Sequence, residues 1–381
     1  MRLPSSSTFS SRKKCGQRRR AALATLGWTL LALIVLDLAC GILFPMPADP
    51  RQAPGTLAQY FNYGLSIEGK LGQMLQPTDA RSSPIVHAGW IETECQPTAQ
   101  SLTPGQTGIS IYGMSFSGNV AAQLRAIDPA LSIESYGGPG AGPNHSYACF
   151  KQVSASGKDP NQIQIIGILA SSVRRMLTLG GLTTSFEGPQ PFTYPRYHLK
   201  DGRPVTTIPV VRSSADLRDP DKLAAYFAQL ARHDAYYDPF LVRGNVTDHS
   251  IIFRLIRRAY AQAHYRRVDA ELVNDGNDFV DNPQIGPVLH AMLRDFSETA
   301  RSQGKMPMVI LFQDRNFGTD SLYRLLKPAL DQDGIAFVRS DLIAPATDPR
   351  NFIPDGHFTP AMDRKIAQAV HAEIRRFSAA R

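Results

Sequence analysis

The stretch ISIYGMSFSGN, residues 109–119, places a serine between a strand-forming run and the start of a helix. Residues 109–112 are mostly β-branched or aromatic, Gly113 allows a tight turn, and residues 120–125 have a helical pattern. A serine on such a turn presents its hydroxyl at the carboxyl end of a strand, near the free amides of the next helix. Ser115 is therefore a candidate nucleophile, although a small-residue turn that serves packing alone has the same pattern.

A second polar segment, NFIPDGHFTP at residues 351–360, precedes a predicted helix over residues 362–374. An imidazole accepts a serine proton when its tautomer is fixed and its cation is stabilised, and a neighbouring carboxylate does both. Asp355 and His357 meet this requirement. The alternative is a polar loop with an incidental histidine, because the chain has nine histidines.

Taken together, these two segments resemble the SGNH, or GDSL-like, family of hydrolases and acyltransferases. The first block of that family is Gly-x-Ser on a strand-to-helix turn, which Gly113 and Ser115 match. Its last block places an Asp just before a His, ahead of the final helix, which Asp355 and His357 match. The resemblance implies that Ser115 is the nucleophile, His357 the base and Asp355 the residue that orients His357.

The resemblance covers residues 107–176 and 306–377, and it implies a three-layer α/β/α sandwich with a central parallel sheet. The alternation of predicted strands and helices in these segments indicates the same fold class. Met114 stands where the family usually has an Asp, but that position is not the nucleophile. An α/β-hydrolase elbow of the form Gly-x-Ser-x-Gly fits less well, because Ser117 occupies the place of the second glycine.

A glycine-rich segment, residues 137–142, follows a strand predicted at residues 131–136. Four glycines in six residues let the backbone approach a bound group and turn its amides toward it, as an oxyanion site requires. The family carries its oxyanion glycine in this place, and Gly140 is the closest match, with the amide of Ser115 as the other donor. A flexible loop without this role is the alternative.

The family also has an asparagine after the next strand, predicted here at residues 162–169, and this chain has none in that place. Ser171 or Ser172 could substitute for it, or Asn144 could reach the same point, and the sequence leaves these alternatives open. Loss of one oxyanion donor costs about 2.7 to 4 kcal/mol of transition-state stabilisation. The departure therefore predicts slow turnover.

The formal charge of +8 is concentrated in the first 20 residues, which hold seven basic residues and no acidic one. The rest of the chain carries only +1 by the same count, so we expect no nucleic-acid partner. No Cys/His or acidic cluster has metal-ligand spacing, and no glycine-rich loop has the phosphate-binding pattern. We therefore expect neither a metal nor a cofactor.

Residues 21–44 are mostly apolar and carry a single charge, at Asp37, and these 24 residues are enough to cross a hydrocarbon core of about 30 Å. The basic residues before them favour a cytoplasmic amino terminus, with the rest of the chain outside. One alternative is a cleaved signal peptide, for which residues 46–48 match poorly. Another is a lipoprotein signal that would lead to modification of Cys40. Such signals carry an aliphatic residue in the place of Asp37, so this alternative also fits poorly. We predict an uncleaved anchor.

The predicted organisation has four parts: a cytoplasmic basic tail (1–20), a transmembrane anchor (21–44), a linker with an amino-terminal extension (45–106) and an SGNH-like domain (107–381). An insertion at residues 177–305 interrupts the domain and shapes or covers the site. Further elements are predicted in two of these parts. The extension has a helix over 56–75 and a strand over 85–91, and the insertion has a hairpin over 194–210 and helices over 221–233, 248–267 and 287–301.

The middle helix of the insertion has isoleucine and leucine on one face and Arg254, Arg257 and Arg258 toward the other. A basic amphipathic helix can lie on anionic lipid or bind an acidic glycan. We expect the more common arrangement, in which the arginines are a solvated face.

These observations predict a serine esterase or O-acyltransferase in the bacterial periplasm, held in the inner membrane by one helix. Its expected substrate is an acyl ester of a cell-envelope glycan, with acetyl as the expected acyl group. This expectation rests on location and resemblance. The alternative is a catalytically impaired protein of this fold that binds glycan or scaffolds an export complex. Cys95 and Cys149 lie beyond the anchor and could pair in an oxidising compartment.

Overall fold

A computed structural model describes residues 9–47, 52–76, 84–98, 102–276, 278–315 and 317–379. The first eight residues of the predicted basic tail lie outside the described residues. So do residues 48–51, which include part of the predicted linker and of the alternative signal-peptide cleavage site.

The chain forms seven strands and thirteen α-helices within the described residues. The strands are β1 (Thr107–Tyr112), β2 (Leu131–Tyr136), β3 (Ile163–Leu169), β4 (Arg196–Lys200), β5 (Arg203–Thr207), β6 (Met306–Phe312) and β7 (Ala336–Arg339). The helices are α1 (Phe9–Leu43), α2 (Thr56–Asn62), α3 (Ile67–Met74), α4 (Pro84–His87), α5 (Ile91–Glu94), α6 (Ser115–Ile127), α7 (Pro143–Ala155), α8 (Pro220–His233), α9 (Pro239–Val242), α10 (Ile251–Asp269), α11 (Gly286–Ser302), α12 (Ser321–Gln332) and α13 (Pro360–Ala379).

Five of the strands form one parallel sheet in the order β2-β1-β3-β6-β7. The chain thus moves outward from β1 to one edge and then, from β3 onward, to the other. Such a reversal of strand order opens a crevice at the carboxyl ends of the two strands where it occurs, which are β1 and β3. The predicted α/β class with a central parallel sheet is confirmed.

Helices cover both faces of this sheet. Successive side chains of a strand point to opposite faces, so apolar side chains on either face need a layer of helices to pack against. Ile109 and Ile111 of β1 face one core, which α6 and α13 complete. Tyr112 faces the other core, together with Ile166 of β3, and there α7, α11 and α12 supply the apolar side chains. Continuous apolar runs such as β3 and β6 are buried on both faces, which explains why they lack alternation in the sequence.

Residues between β3 and β6 form a long excursion, although these two strands are neighbours in the sheet. The predicted hairpin is confirmed as β4 and β5, whose turn residues Asp201 and Gly202 both have positive φ. The three predicted helices are confirmed as α8, α10 and α11.

Two predictions for the amino-terminal extension are wrong. Residues 85–91 form no strand; instead α4 ends before Gly89, whose φ of +86° turns the chain into α5. The single helix predicted over 56–75 is divided into α2 and α3. Gly64 lies in the break, where a Cβ would come within 2.1 Å of the Arg254 carbonyl oxygen, and Ser66 then caps α3.

The solvated arginine face predicted for α10 is wrong for Arg257, which is fully buried. Its guanidinium is paired with the carboxylate of Asp248 and donates to the carbonyl oxygens of Phe240 at 2.8 Å and Gly64 at 3.1 Å. A buried charge needs such partners, because its desolvation is otherwise too costly. Arg257 therefore fixes which side of α10 faces the protein.

One helix within the described residues is long and apolar enough to cross a membrane, the part of α1 from Arg19 to Leu43. Its side chains are almost entirely exposed, unlike those of a core helix. This finding is compatible with the predicted anchor.

A disulfide joins Cys95, just after α5, to Cys149 in α7, with 5.1 Å between the two Cα atoms. It ties the amino-terminal extension to a helix of the main domain across 54 residues of sequence. Closing a loop of this length restricts the unfolded chain and stabilises the fold by about 4 kcal/mol in the chain-entropy model.

We expect Cys95→Ala to lower the free energy of unfolding by about 4 kcal/mol, measured by urea denaturation of the full chain in detergent. Cys149→Ala should cost a similar amount. The double variant should cost little more than either single change, because only one bond is lost. Cys40→Ala, a free cysteine in the apolar helix, is the control. Equal stability of the wild type and Cys95→Ala would contradict this role of the disulfide.

Candidate active site

Ser115 is the first residue of α6 and follows β1 after a two-residue turn. Met114 precedes the helix in an extended conformation, with φ −100° and ψ −166°, and no side chain caps the helix. The first amides of a helix have no partner within the helix. The hydroxyl of Ser115 and these uncapped amides therefore lie together at the carboxyl end of β1.

The turn before Ser115 is tight because its backbone packs directly against neighbouring segments. A Cβ on Gly113 would come within 2.0 Å of the Ser117 hydroxyl oxygen, and one on Gly137 within 1.6 Å of the Gly113 carbonyl oxygen. Ser117 itself is 1% exposed, and its hydroxyl has no hydrogen-bond partner among the described residues. The glycines therefore let the loop after β2 lie beside Ser115, while Ser117 is buried behind the turn.

Ser115, His357 and Asp355 form one connected array. The hydroxyl oxygen of Ser115 lies 2.6 Å from Nε2 of His357, although 242 residues separate them. Nδ1 of His357 lies 3.0 Å from Oδ1 of Asp355, and this oxygen also accepts the backbone N–H of His357 at 3.0 Å. A proton on Nδ1 leaves Nε2 as the acceptor that faces the serine.

The ring of Phe116 packs against the imidazole of His357, with ring centroids 4.8 Å apart and planes 23° apart. Phe116 in turn contacts Phe312 at the end of β6 and Phe358 next to the histidine. The imidazole is thus held from its face by packing and at its edge by Asp355. Phe116 carries no functional signal in the sequence, because an aromatic residue at the start of a helix is commonly a core residue.

The carboxylate of Asp355 lies largely in solvent, with 62% of its side chain exposed. The backbone N–H of His357 and then its ring N–H hold the pKa of Asp355 below its usual range, so this group is ionised near neutral pH. Solvent weakens its electrostatic effect on the imidazole compared with a buried carboxylate. Asp355 is therefore better placed to orient His357 than to stabilise its cation strongly.

A cleft of about 360 Å³ lies beside Ser115. It is lined by the turn before α6, by Gly137, Gly138 and Pro139 of the loop after β2, and by Ala88, Gly89 and Glu94 of the amino-terminal extension. The contribution of the extension was not predicted, since nothing in its sequence indicated chemistry.

Gly140 lies next to the cleft-lining part of the loop and has φ +62°. No acceptor for its N–H occurs among the described residues. The guanidinium of Arg175 packs closely against Gly140. A Cβ on Gly140 would lie only 2.7 Å from Nη2 of Arg175. Burial lowers the pKa of Arg175, but an arginine remains charged, so a positive charge lies beside this loop.

The three residues considered for the missing asparagine donor, Asn144, Ser171 and Ser172, are placed differently. The buried hydroxyl of Ser172 donates to the Leu169 carbonyl oxygen at 2.7 Å. Asn144 is fully buried, and its amide group donates to the carbonyl oxygens of Arg175 at 3.4 Å and Met176 at 3.3 Å. Its amide hydrogens are thus directed to backbone carbonyls. Ser171 follows β3 as predicted, and its backbone N–H donates to Asp314 at 3.0 Å.

The cleft wall formed by Gly89 is held from behind. The buried imidazole of His145 contacts the Gly89 carbonyl oxygen through Nε2 at 2.7 Å, and burial lowers its pKa to about 4. Neutral His145 therefore acts as an uncharged donor to this wall.

One group of side chains has the atom types that bind metals: Cys95, His145 and Cys149. The disulfide between the two cysteines uses both sulfur atoms, so they are not available as thiolate ligands.

The helices that carry the array are joined beneath it. Asp363 of α13 is buried, and burial raises the pKa of Asp363 to about 6. Close packing of α6 against α13 brings the serine and the histidine together, since Ser115 begins α6 and His357 precedes α13.

No protein-family model, no curated protein and no solved structure matches this chain.

Proposed function

We propose that this protein is a membrane-anchored serine esterase or O-acyltransferase of the SGNH type, acting outside the cytoplasm. The observation that carries the proposal is the array of Ser115, His357 and Asp355, joined by distances of 2.6 and 3.0 Å beside a cleft. A nucleophile in contact with a base, and a base oriented by a third group, is the arrangement that activates a serine.

In the proposed first step, the Ser115 oxygen attacks the acyl carbonyl carbon while Nε2 of His357 takes the hydroxyl proton. The tetrahedral intermediate collapses, the ester C–O bond breaks, and His357 returns the proton to the departing alcohol. The acyl group remains on Ser115 as an ester. In the second step, His357 takes a proton from water or from a sugar hydroxyl, whose oxygen attacks the acyl carbonyl carbon. The bond from this carbon to the Ser115 oxygen then breaks, His357 returns the proton to that oxygen, and the free acid or the new sugar ester leaves.

The amides of Ser115 and Gly140 are the proposed oxyanion donors. Three features support them: the uncapped start of α6, the Gly140 N–H without a described acceptor, and the Arg175 guanidinium beside the loop. Ser171 is the further donor in this proposal, and Asn144 is left out because its amide hydrogens face carbonyl oxygens.

A cell-envelope glycan is proposed as the substrate because an anchored domain outside the cytoplasm meets such polymers. The cleft of about 360 Å³ is at the small end of ligand sites, which suits a short acyl group with part of a sugar. An acetyl ester is the simplest group of this kind.

The second candidate function is a protein of this fold that binds glycan or scaffolds an export complex without rapid turnover. The observation that favours it is the absence of the third-block asparagine together with the orientation of Asn144 away from this role. The distance of 2.6 Å between the Ser115 hydroxyl and Nε2 of His357 favours an enzyme over this second candidate.

The division of labour in the array can be tested by hydrolysis of 4-nitrophenyl acetate by the full chain in nanodiscs. We expect Ser115→Ala and His357→Ala each to lower kcat/KM by about 10³-fold or more, because one removes the nucleophile and the other leaves its proton without an acceptor. The double variant should be no slower than either single variant. Asp355→Asn should lose only about 10- to 100-fold, because this carboxylate is largely solvated.

Ser117→Ala is the matched control, since Ser117 is a second serine two residues along and its buried hydroxyl has no described partner. We expect nearly unchanged kcat/KM and stability. An inactive Ser117→Ala with an active Ser115→Ala would show that the wrong serine is proposed as the nucleophile.

The proposed topology places residues 1–20 in the cytoplasm and residues 46–381 in the periplasm. A reporter that is active only in the cytoplasm should therefore be silent when fused after Arg381, and the same reporter fused before residue 1 should be active. An active carboxyl-terminal fusion would overturn this orientation.

A further inference from the structure

The exposed face of α10 is apolar and basic and contains no acidic residue. Its eight exposed residues include Phe253, Ile256 and Tyr260, two alanines, one glutamine, and Arg266 and Arg267 at the carboxyl end. The three large side chains are 46%, 50% and 40% exposed. A solvated face of a helix normally carries charges of both signs, so this composition needs another explanation.

The apolar helix α1 contacts this region. Oδ1 of Asp37, near the end of α1, accepts the backbone N–H of Ile252 at the start of α10 at 2.8 Å. Phe44, just after α1, packs against Phe61 of α2 with ring centroids 6.1 Å apart. The start of α10 therefore lies at the level of the last two turns of the anchor helix.

The position of Asp37 marks where the lipid ends. A carboxylate in the hydrocarbon core is costly, whereas the amino terminus of a helix stabilises one. Residues 21–36 of α1, between the basic tail and Asp37, span about 24 Å at 1.5 Å per residue, which is most of a hydrocarbon core of about 30 Å. With Asp37 at the boundary, α10 begins at the membrane surface.

The side of α10 next to this stripe is fixed to the protein. Arg257 is buried there in its hydrogen bonds to Phe240 and Gly64 and its ion pair with Asp248. Any rotation of α10 that buried Ile256 against its own domain would break these contacts. The exposed stripe of Phe253, Ile256 and Tyr260 therefore stays directed outward.

We propose that α10 lies on the outer surface of the same membrane that holds α1. Phe253 and Ile256 enter the boundary between headgroups and acyl chains, and Arg266 and Arg267 contact anionic phospholipid headgroups. Tyr260, whose hydroxyl donates to the Asp238 carboxylate at 2.8 Å, lies at the level of the headgroups. Together with α1, this second attachment fixes the orientation of the domain relative to the membrane. The inference rests on the anchoring part of the proposed function and is independent of the chemistry at Ser115.

The test places an environment-sensitive fluorophore on single cysteines of the full chain in nanodiscs that contain phosphatidylglycerol. Cys15→Ser and Cys40→Ser provide the background, and the disulfide is kept. Ile256→Cys reports on α10, Leu31→Cys on the anchor, and Leu342→Cys, at a side chain 71% exposed in the main domain, is the matched control. Lipids with a nitroxide near the top of the acyl chain are the quencher.

We expect quenching of the Ile256→Cys probe to exceed that of the Leu342→Cys probe several-fold, and to fall when phosphatidylcholine replaces phosphatidylglycerol. The double variant Arg266→Gln, Arg267→Gln should lose this dependence on anionic lipid. A melting temperature equal to that of the wild type would show that the double variant is folded. If the Leu31→Cys probe is quenched and the Ile256→Cys probe is no more quenched than the control, the inference is wrong and the anchor stands. If the Leu31→Cys probe is not quenched either, the anchor itself is wrong and the inference is overturned with it.

Discussion

The contact between Ser115 and His357 depends on the parallel arrangement of the central strands. In a parallel sheet every strand ends at the same edge, so segments far apart in the chain are brought together there. Ser115 follows β1, the glycine loop follows β2, and the His357 segment follows β7. The serine and the histidine, which are 242 positions apart, therefore do not need to be close in sequence, and the long excursion between β3 and β6 leaves the array intact.

Much of the sheet and the array could be predicted from the sequence, because each depends on local chemistry. The boundaries of β2 were predicted to the residue, since an apolar run there ends at a glycine-rich loop. Ser115, Asp355 and His357 stood out because a nucleophile, a base and an orienting carboxylate need particular residue types next to particular elements. The roles assigned to them are still predictions.

Other features depend on contacts between distant segments, which periodicity does not reveal. Residues 85–91 have enough apolar side chains for a strand, but the positive φ of Gly89 and the disulfide at Cys95 give two short helices instead. The break between α2 and α3 reflects the close approach of the α10 backbone to Gly64. Arg257 was expected in solvent because it is charged, and only the arrangement of its buried partners explains its position.

The central claim is that His357 activates Ser115 as a nucleophile, and covalent labelling by an aryl fluorophosphonate tests it most directly. Such a probe phosphonylates an activated serine, and peptide mass spectrometry identifies the modified residue. The account predicts one adduct on Ser115 in the folded full chain, and the loss of this adduct in a folded His357→Ala variant. A folded protein that stays unlabelled, or an adduct on another residue, would contradict it.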